Sequence, residues 1–218
     1  KAGATATTKA GETATTKALD ASDQYLHKWY PDGEMNICYN AVDRHVDEGR
    51  GDQDAIAYDS SYTGVQETYT YMQVLENVGK LATILKTKFN VQKGDRVLIY
   101  MPMVPQAAFA MLACARIGAI HSVVFGGFAA KELANRLDDC LPKLIVTCSA
   151  GLEPNKIIKY APIVDESLNY TTKLPDAANL PRLIYQRPEL NGKHSDPSVD
   201  ASVYHDYQSL MDQAWDLA

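Results

Sequence analysis

The sequence predicts an α/β protein, a parallel sheet flanked by helices and entered through a small amino-terminal helix and a β-hairpin. Two observations carry this prediction. The strand-like runs are continuously apolar, as strands buried on both faces are, and stretches of helical period separate them. RVLIYM (96–101), AIHSVVF (119–125), KLIVTC (143–148) and RLIYQ (182–186) are the runs. Asn36 stands where it can cap a helix through Ile37, Tyr39, Val42 and His45, ended at Gly49. AIAYDS (55–60) and QETYTY (66–71), with Gly64 between them, read as the hairpin. Thr70 and Gln73 form a capping-box pattern, and Met72, Leu75, Val78, Ala82, Leu85 and Phe89 then recur at helical spacing as a core stripe. Pro105 opens the next helix and Gly118 closes it; further helices are predicted over 131–140, near 162–168 and over 204–215.

Composition narrows the function. With 46% hydrophobic and 22% charged residues, the 218-residue chain has the make-up of a globular protein with a real core. A net charge of -6 argues against a nucleic-acid or anionic-membrane partner, so an anionic ligand must meet a local basic spot. The longest apolar stretches, 107–115 and 117–124, are interrupted by Arg116 and Gly118 and fall short of a membrane span. Cys38, Cys114, Cys140 and Cys148 form no C-x-x-C pair, so they read as reduced core thiols of the cytoplasm or mitochondrial matrix. A metal site from Cys114, His121, Cys140 and Cys148 is set aside in favour of that reading, and no metal ligand is expected. TATTKA at 5–10 and again at 13–18 belongs to a low-complexity tail over 1–22, with a transit-peptide remnant as the sharper alternative. Residues 23–90 are expected to form an amino-terminal region and 91–218 an incomplete ligand-binding domain.

In an open parallel sheet, ligands collect at the carboxyl ends of the strands, which directs attention to three turns. YMPM (100–103) ends the first run, FGGFAAKEL (125–133) the second and SAGLEPNK (149–156) the third. Gly126 and Gly127 either satisfy the dihedrals of a tight turn, the commoner use, or leave backbone open to a flat ring beside Phe125 and Phe128. Lys156 and Lys159 are either cationic contacts for a phosphate or a solvated pair. His121 has no acid placed to build a triad, and Asp138 and Asp139 are expected to face solvent.

At these residues the sequence resembles a known family. NICYNAVDRH (36–45), GRGDQ (49–53), KGDRVLIYMPM (93–103), MLACARIGAIHSVVFGGFAAKEL (111–133) and PKLIVTCSAGLEP (142–154) look like the AMP-forming short-chain acyl-CoA synthetases, the acetyl- and propionyl-CoA synthetases of the adenylate-forming superfamily. The resemblance runs collinearly over 25–185 and implies the platform reading of the glycine pair. It implies an acid–thiol ligase that joins acetate or propionate to ATP as an acyl-adenylate and passes the acyl group to CoA, with Mg supporting the first step. It further implies that Phe125, Gly126, Gly127, Glu153, Pro154, Asn155 and Lys156 border the CoA nucleotide. Acetate-type members often carry arginine at the positions of Glu153 and Lys156, so the Glu153–Pro154 pair resembles the propionate branch. The family's phosphate loop and catalytic lysine have no counterpart in these 218 residues. The chain alone is therefore expected to hold no catalytic residue, to bind no cofactor tightly and to associate through an exposed sheet edge or with the rest of a longer protein. A non-catalytic scaffold of the same family is the alternative.

Overall fold

The computed structural model describes residues 17–153, 156–190 and 199–214. The first TATTKA repeat and most of the second lie outside the described residues. A two-residue ladder, β1 (Leu19–Asp20) with β2 (Lys28–Trp29), precedes the amino-terminal helix. That helix is wound largely as π-turns over Tyr39–Asp43 and Val46–Arg50, and Asn36 Oδ1 accepts from the Tyr39 N–H at 3.1 Å, the cap expected of it. The Asn36 amide also donates to the Ala115 and Arg116 carbonyls at 3.3 and 3.0 Å. The Arg116 guanidinium in turn holds both Asp43 carboxylate oxygens at 2.8 Å. This helix is thus bound through polar contacts to the carbonyl end that Gly118 closes, where the Ala115 carbonyl also accepts from the Gly118 N–H.

The hairpin of β3 (Asp54–Ser60) and β4 (Val65–Thr70) follows and leads into α1 (Tyr71–Thr87). The capping box is complete, with Gln73 N to Thr70 Oγ1 at 3.3 Å and Thr70 N to Gln73 Oε1 at 2.9 Å. The predicted stripe holds at Val78, Ala82, Leu85 and Phe89, all buried, but Met72 is half exposed because it sits on the first turn, before the helix reaches the sheet. Next come β5 (Arg96–Tyr100), α2 (Pro105–Ile117), β6 (Ile120–Val124), α3 (Ala130–Cys140), β7 (Leu144–Cys148), β8 (Ala150–Glu153) and β9 (Lys156–Lys159). The chain continues through α4 (Tyr160–Leu168), β10 (Arg182–Tyr185), β11 (Tyr204–Asp206) and α5 (Tyr207–Gln213).

The main sheet has the order β11–β10–β7–β5–β6, parallel throughout. Successive residues of a strand point to opposite faces, and here both faces are covered. Val97, Ile99 and Val146 join a core with the buried sides of α1, α2 and α5, while Leu98, Tyr100 and Ile145 join another with Leu133 and Leu137 of α3 and Val164 of α4. Val97, Leu98 and Ile99 are fully buried, each such side chain contributing about 1.5–3 kcal/mol. That two-sided burial is why β5 reads as an unbroken apolar run. β6 differs: it is an edge strand among the described residues, with Ile120 and Val123 each 54% exposed.

Three local findings depart from the sequence reading. Residues 150–153 and 156–159 pair as antiparallel strands, β8 with β9, where a loop was expected. β11 adds a short edge strand before the last helix. Asp138 does not simply face solvent: its carboxylate accepts from the N–H groups of Thr172, Lys173 and Leu174 and from the Thr172 hydroxyl, tying α3 to the segment after α4.

Candidate functional site

The topology fixes where a ligand site can form. From β5 the chain leaves through α2 to β6 on one side; it then returns through α3, on the other face, to β7 on the opposite side of β5. The strand order therefore reverses between β5 and β7, and their carboxyl ends, Tyr100 and Cys148, open a crevice at that switch point. Met101–Met103 after β5, Phe125–Gly127 after β6 and Gly151–Glu153 of β8 wall it, and Tyr58–Tyr62 at the end of the β3–β4 hairpin overhangs it. The cleft holds about 580 Å³. Two clefts of similar size, about 530 and 540 Å³, flank Arg116 and Lys93 at the amino ends of β5 and β6, where the switch-point argument places no ligand.

One ring organises the cleft. Tyr160, at the start of α4 and 3% exposed, packs edge-on against Tyr100 with ring centroids 4.8 Å apart. A Cβ on Gly126 would run into the Tyr160 hydroxyl, and a Cβ on Gly151 would lie 2.6 Å from Tyr160 Cε2. Gly126, Gly127 and Gly151 are not among the glycines with positive φ, so the turn does not need glycine for its dihedrals. Gly126 and Gly151 are needed for space: the turn after β6 and the β8–β9 hairpin both close on the Tyr160 ring. The Tyr100 hydroxyl fixes the same turn from beneath, donating to the Phe128 carbonyl at 2.7 Å and the Gly126 carbonyl at 3.3 Å. Thr147 Oγ1 donates to the Tyr100 carbonyl at 2.9 Å and joins the two strand ends. Burial pushes both phenols above their ordinary acidity range, Tyr100 to about 12 and Tyr160 further still with the neighbouring Tyr100 adding to the effect. Both stay protonated as hydrogen-bond donors.

The charge in the cleft is cationic at its base. Arg187, just past β10, is 5% exposed and lines the cleft; its backbone N–H donates to Ser149 Oγ at 3.1 Å and its guanidinium reaches the Ala150 carbonyl at 3.4 Å. Asp59 and Glu153 line the same cleft, so within it the attraction for an anionic group is confined to the guanidinium itself.

Of the residues expected to border a ligand, Phe125, Gly126, Gly127 and Glu153 line the cleft, with the Phe125 ring 73% exposed and edge-on to Phe128 at 6.0 Å. Pro154 and Asn155 lie outside the described residues. Lys156 is exposed at the start of β9, opposite Glu153 in the hairpin register, and is not part of the cleft wall. Cys114 and Cys148 are buried in one core cluster, Cys140 packs against the other and His121 is exposed, so the set considered for a metal is divided between the two faces and the surface. Sequence reasoning missed Tyr58, Tyr160 and Arg187. Arg187 carried a signal, since it follows the fourth apolar run and the strand-end rule applies there too; Tyr160 carried none, because its neighbours are remote in sequence.

This fold and cleft define an adenylate-forming type of enzyme domain, and the chain belongs to the AMP-binding enzyme family, whose model matches residues 43–213. Among its relatives is the human protein named acyl-CoA synthetase short-chain family member 3, mitochondrial, 51% identical over 173 residues, which cover 79% of this chain and 24% of that protein. The bovine protein of the same name is 55% identical over 160 residues, or 73% of this chain and 23% of its own length. Acetyl-coenzyme A synthetase of Rhizobium rhizogenes is 47% identical over 146 residues, covering 67% of this chain and 22% of that protein. The chain thus spans about a quarter of the length of the curated relatives it matches. Among the described residues no helix is long and apolar enough to cross a membrane.

Proposed function

We propose that this chain forms the CoA-bordering part of a short-chain acyl-CoA synthetase. The enzyme joins acetate or propionate to ATP, with Mg, as an acyl-adenylate and transfers the acyl group to the CoA thiol. The observation that supports this reading is the switch-point cleft itself, walled by the Phe125–Gly127 turn and with the buried Arg187 in its lining. Residues 23–90 serve as the amino-terminal region of that enzyme and 91–218 as the first part of its AMP-binding domain. The mitochondrial names of the mammalian relatives favour the matrix as the place of action.

In this reading the residues here do no bond-making. They position one substrate. The exposed Phe125 ring, packed against Gly127, offers a face for stacking the nucleotide base, and the apolar walls exclude water, which strengthens the attraction between Arg187 and an anionic group. Glu153 and Lys156 stand at the outer rim, where charges are screened, and Pro154 and Asn155 complete the expected set of CoA contacts. An exposed lysine contributes about 0–1 kcal/mol, so Lys156→Ala weakens CoA use by at most about fivefold. The family's phosphate loop and catalytic lysine have no counterpart in the 218 residues, so this chain alone is silent in the reaction.

The test separates the half-reactions in the protein that carries this chain together with the remaining length of its relatives. Acid-dependent exchange of labelled pyrophosphate into ATP reports adenylation without CoA, and acyl-CoA formation at varied CoA reports transfer. Exchange with acetate or propionate, followed by CoA-dependent thioester formation, is expected. No exchange with any short carboxylate would overturn the proposal.

A further inference from the structure

The Tyr160 hydroxyl has no hydrogen-bond partner among the described residues, although the side chain is 3% exposed and lines the cleft. Its neighbour Tyr100 is different, since that hydroxyl is already committed to the Gly126 and Phe128 carbonyls. Tyr160 Oη lies where a side chain on Gly126 would begin, so it borders the stretch of bare backbone at Gly126 and Gly127. A hydroxyl that faces a cleft is completed by whatever fills the cleft, water in the free protein and an acceptor atom of the ligand when one is bound.

We propose that the Tyr160 hydroxyl donates a hydrogen bond to an acceptor atom on the flat base of the nucleotide lying against the Phe125–Gly127 turn, which makes Tyr160 a specificity-determining residue for the thiol substrate. The assignment rests on the reading of the cleft given under Proposed function. A base acceptor fits better than a phosphate because the surroundings of the hydroxyl are apolar and glycine-lined, whereas a phosphate is drawn to Arg187 or to the rim lysines. The raised acidity constant of the phenol keeps the proton on the oxygen at all working pH values, as a donor requires.

The experiment compares the wild-type enzyme with Tyr160→Phe, using CoA and pantetheine, which offers the same thiol without the nucleotide, together with thermal unfolding. Loss of one neutral hydrogen bond raises KM for CoA about threefold to tenfold and leaves KM for pantetheine within about twofold of wild type. The melting temperature stays the same or rises, because the variant removes a hydroxyl that has no hydrogen-bond partner among the described residues. An unchanged KM for CoA would overturn the assignment. So would a lowered melting temperature with both thiols affected alike, which would make the hydroxyl a structural group. If the wild-type enzyme uses CoA and pantetheine equally well, the nucleotide is not read in this cleft; that result defeats the functional reading and takes the assignment with it.

Discussion

Gly126→Ala places a methyl group on the Tyr160 hydroxyl, and the consequence follows from the geometry around it. The methyl would meet Oη first, then Cζ at 3.2 Å and the Met101 carbonyl at 3.4 Å. Tyr160 cannot move aside easily, since Tyr100 and Gly151 hold the rest of its ring. Overpacking of this kind costs about 1–3 kcal/mol, offset by about 0.4–1 kcal/mol from the reduced freedom of the unfolded chain. The net loss of roughly 0–2.6 kcal/mol lowers the melting temperature by up to roughly 10 °C in a protein of this size. Removing the oxygen should relieve most of that loss: in the Tyr160→Phe background, Gly126→Ala should be neutral or slightly stabilising. Gly151→Ala should stay costly in the same background, because its nearest obstacle is the ring carbon Cε2 at 2.6 Å. Gly79→Ala, in α1 with nothing within 4 Å of the added carbon, serves as the control and should stabilise by about 0.5–1 kcal/mol. Urea or thermal unfolding of the four single variants and the two doubles measures the coupling. If Gly126→Ala and Tyr160→Phe add within about 0.5 kcal/mol, the clasp does not exist as described.

Two further outcomes follow from other parts of the fold. Asp138 is pushed up by partial burial, and the N–H groups of Lys173, Thr172 and Leu174 with the Thr172 hydroxyl outweigh that and hold it at about 2. A depressed carboxyl stabilises the fold above its unfolded value near ~4 and loses that contribution as pH falls towards 2; acid unfolding followed by circular dichroism should show this limb in the wild type and a flatter one in Asp138→Asn. The β6 edge, with Ile120 and Val123 half exposed, should drive self-association of the chain on its own, and Val123→Lys should lower the mass seen by light scattering; an unaltered mass would move the association elsewhere.

The central strands were legible because burial on both faces writes itself as an uninterrupted apolar run, and the caps at Thr70, Pro105 and Gly118 were legible because helix ends are local chemistry. The position of β6 was not. Its run is interrupted only by His121 and Ser122, a weak signal of exposure, and the order of pairing decides which strand is covered. The β8–β9 hairpin escaped notice because Ala150 and Gly151 have little strand preference of their own; they are extended because the chain closes over Tyr160. The same long-range contact explains the glycines. Sequence offered a choice between dihedral need and open backbone, and the structure adds a further reason, room for a ring 34 residues away along the chain from Gly126. The cleft itself was legible in outline, since the turns after β5, β6 and β7 were read as its walls, whereas Tyr160 and Arg187 reach it only through the folded topology.

The claim on which the rest depends is that the nucleotide of CoA lies in the cleft at the ends of β5 and β7. Amide hydrogen exchange of the enzyme carrying this chain, with and without saturating CoA, tests it directly. Slower exchange is predicted in the backbone of 125–128 and of 150–160. Protection confined to the clefts around Lys93 and Arg116, or none within this chain while thioester formation proceeds, would contradict it.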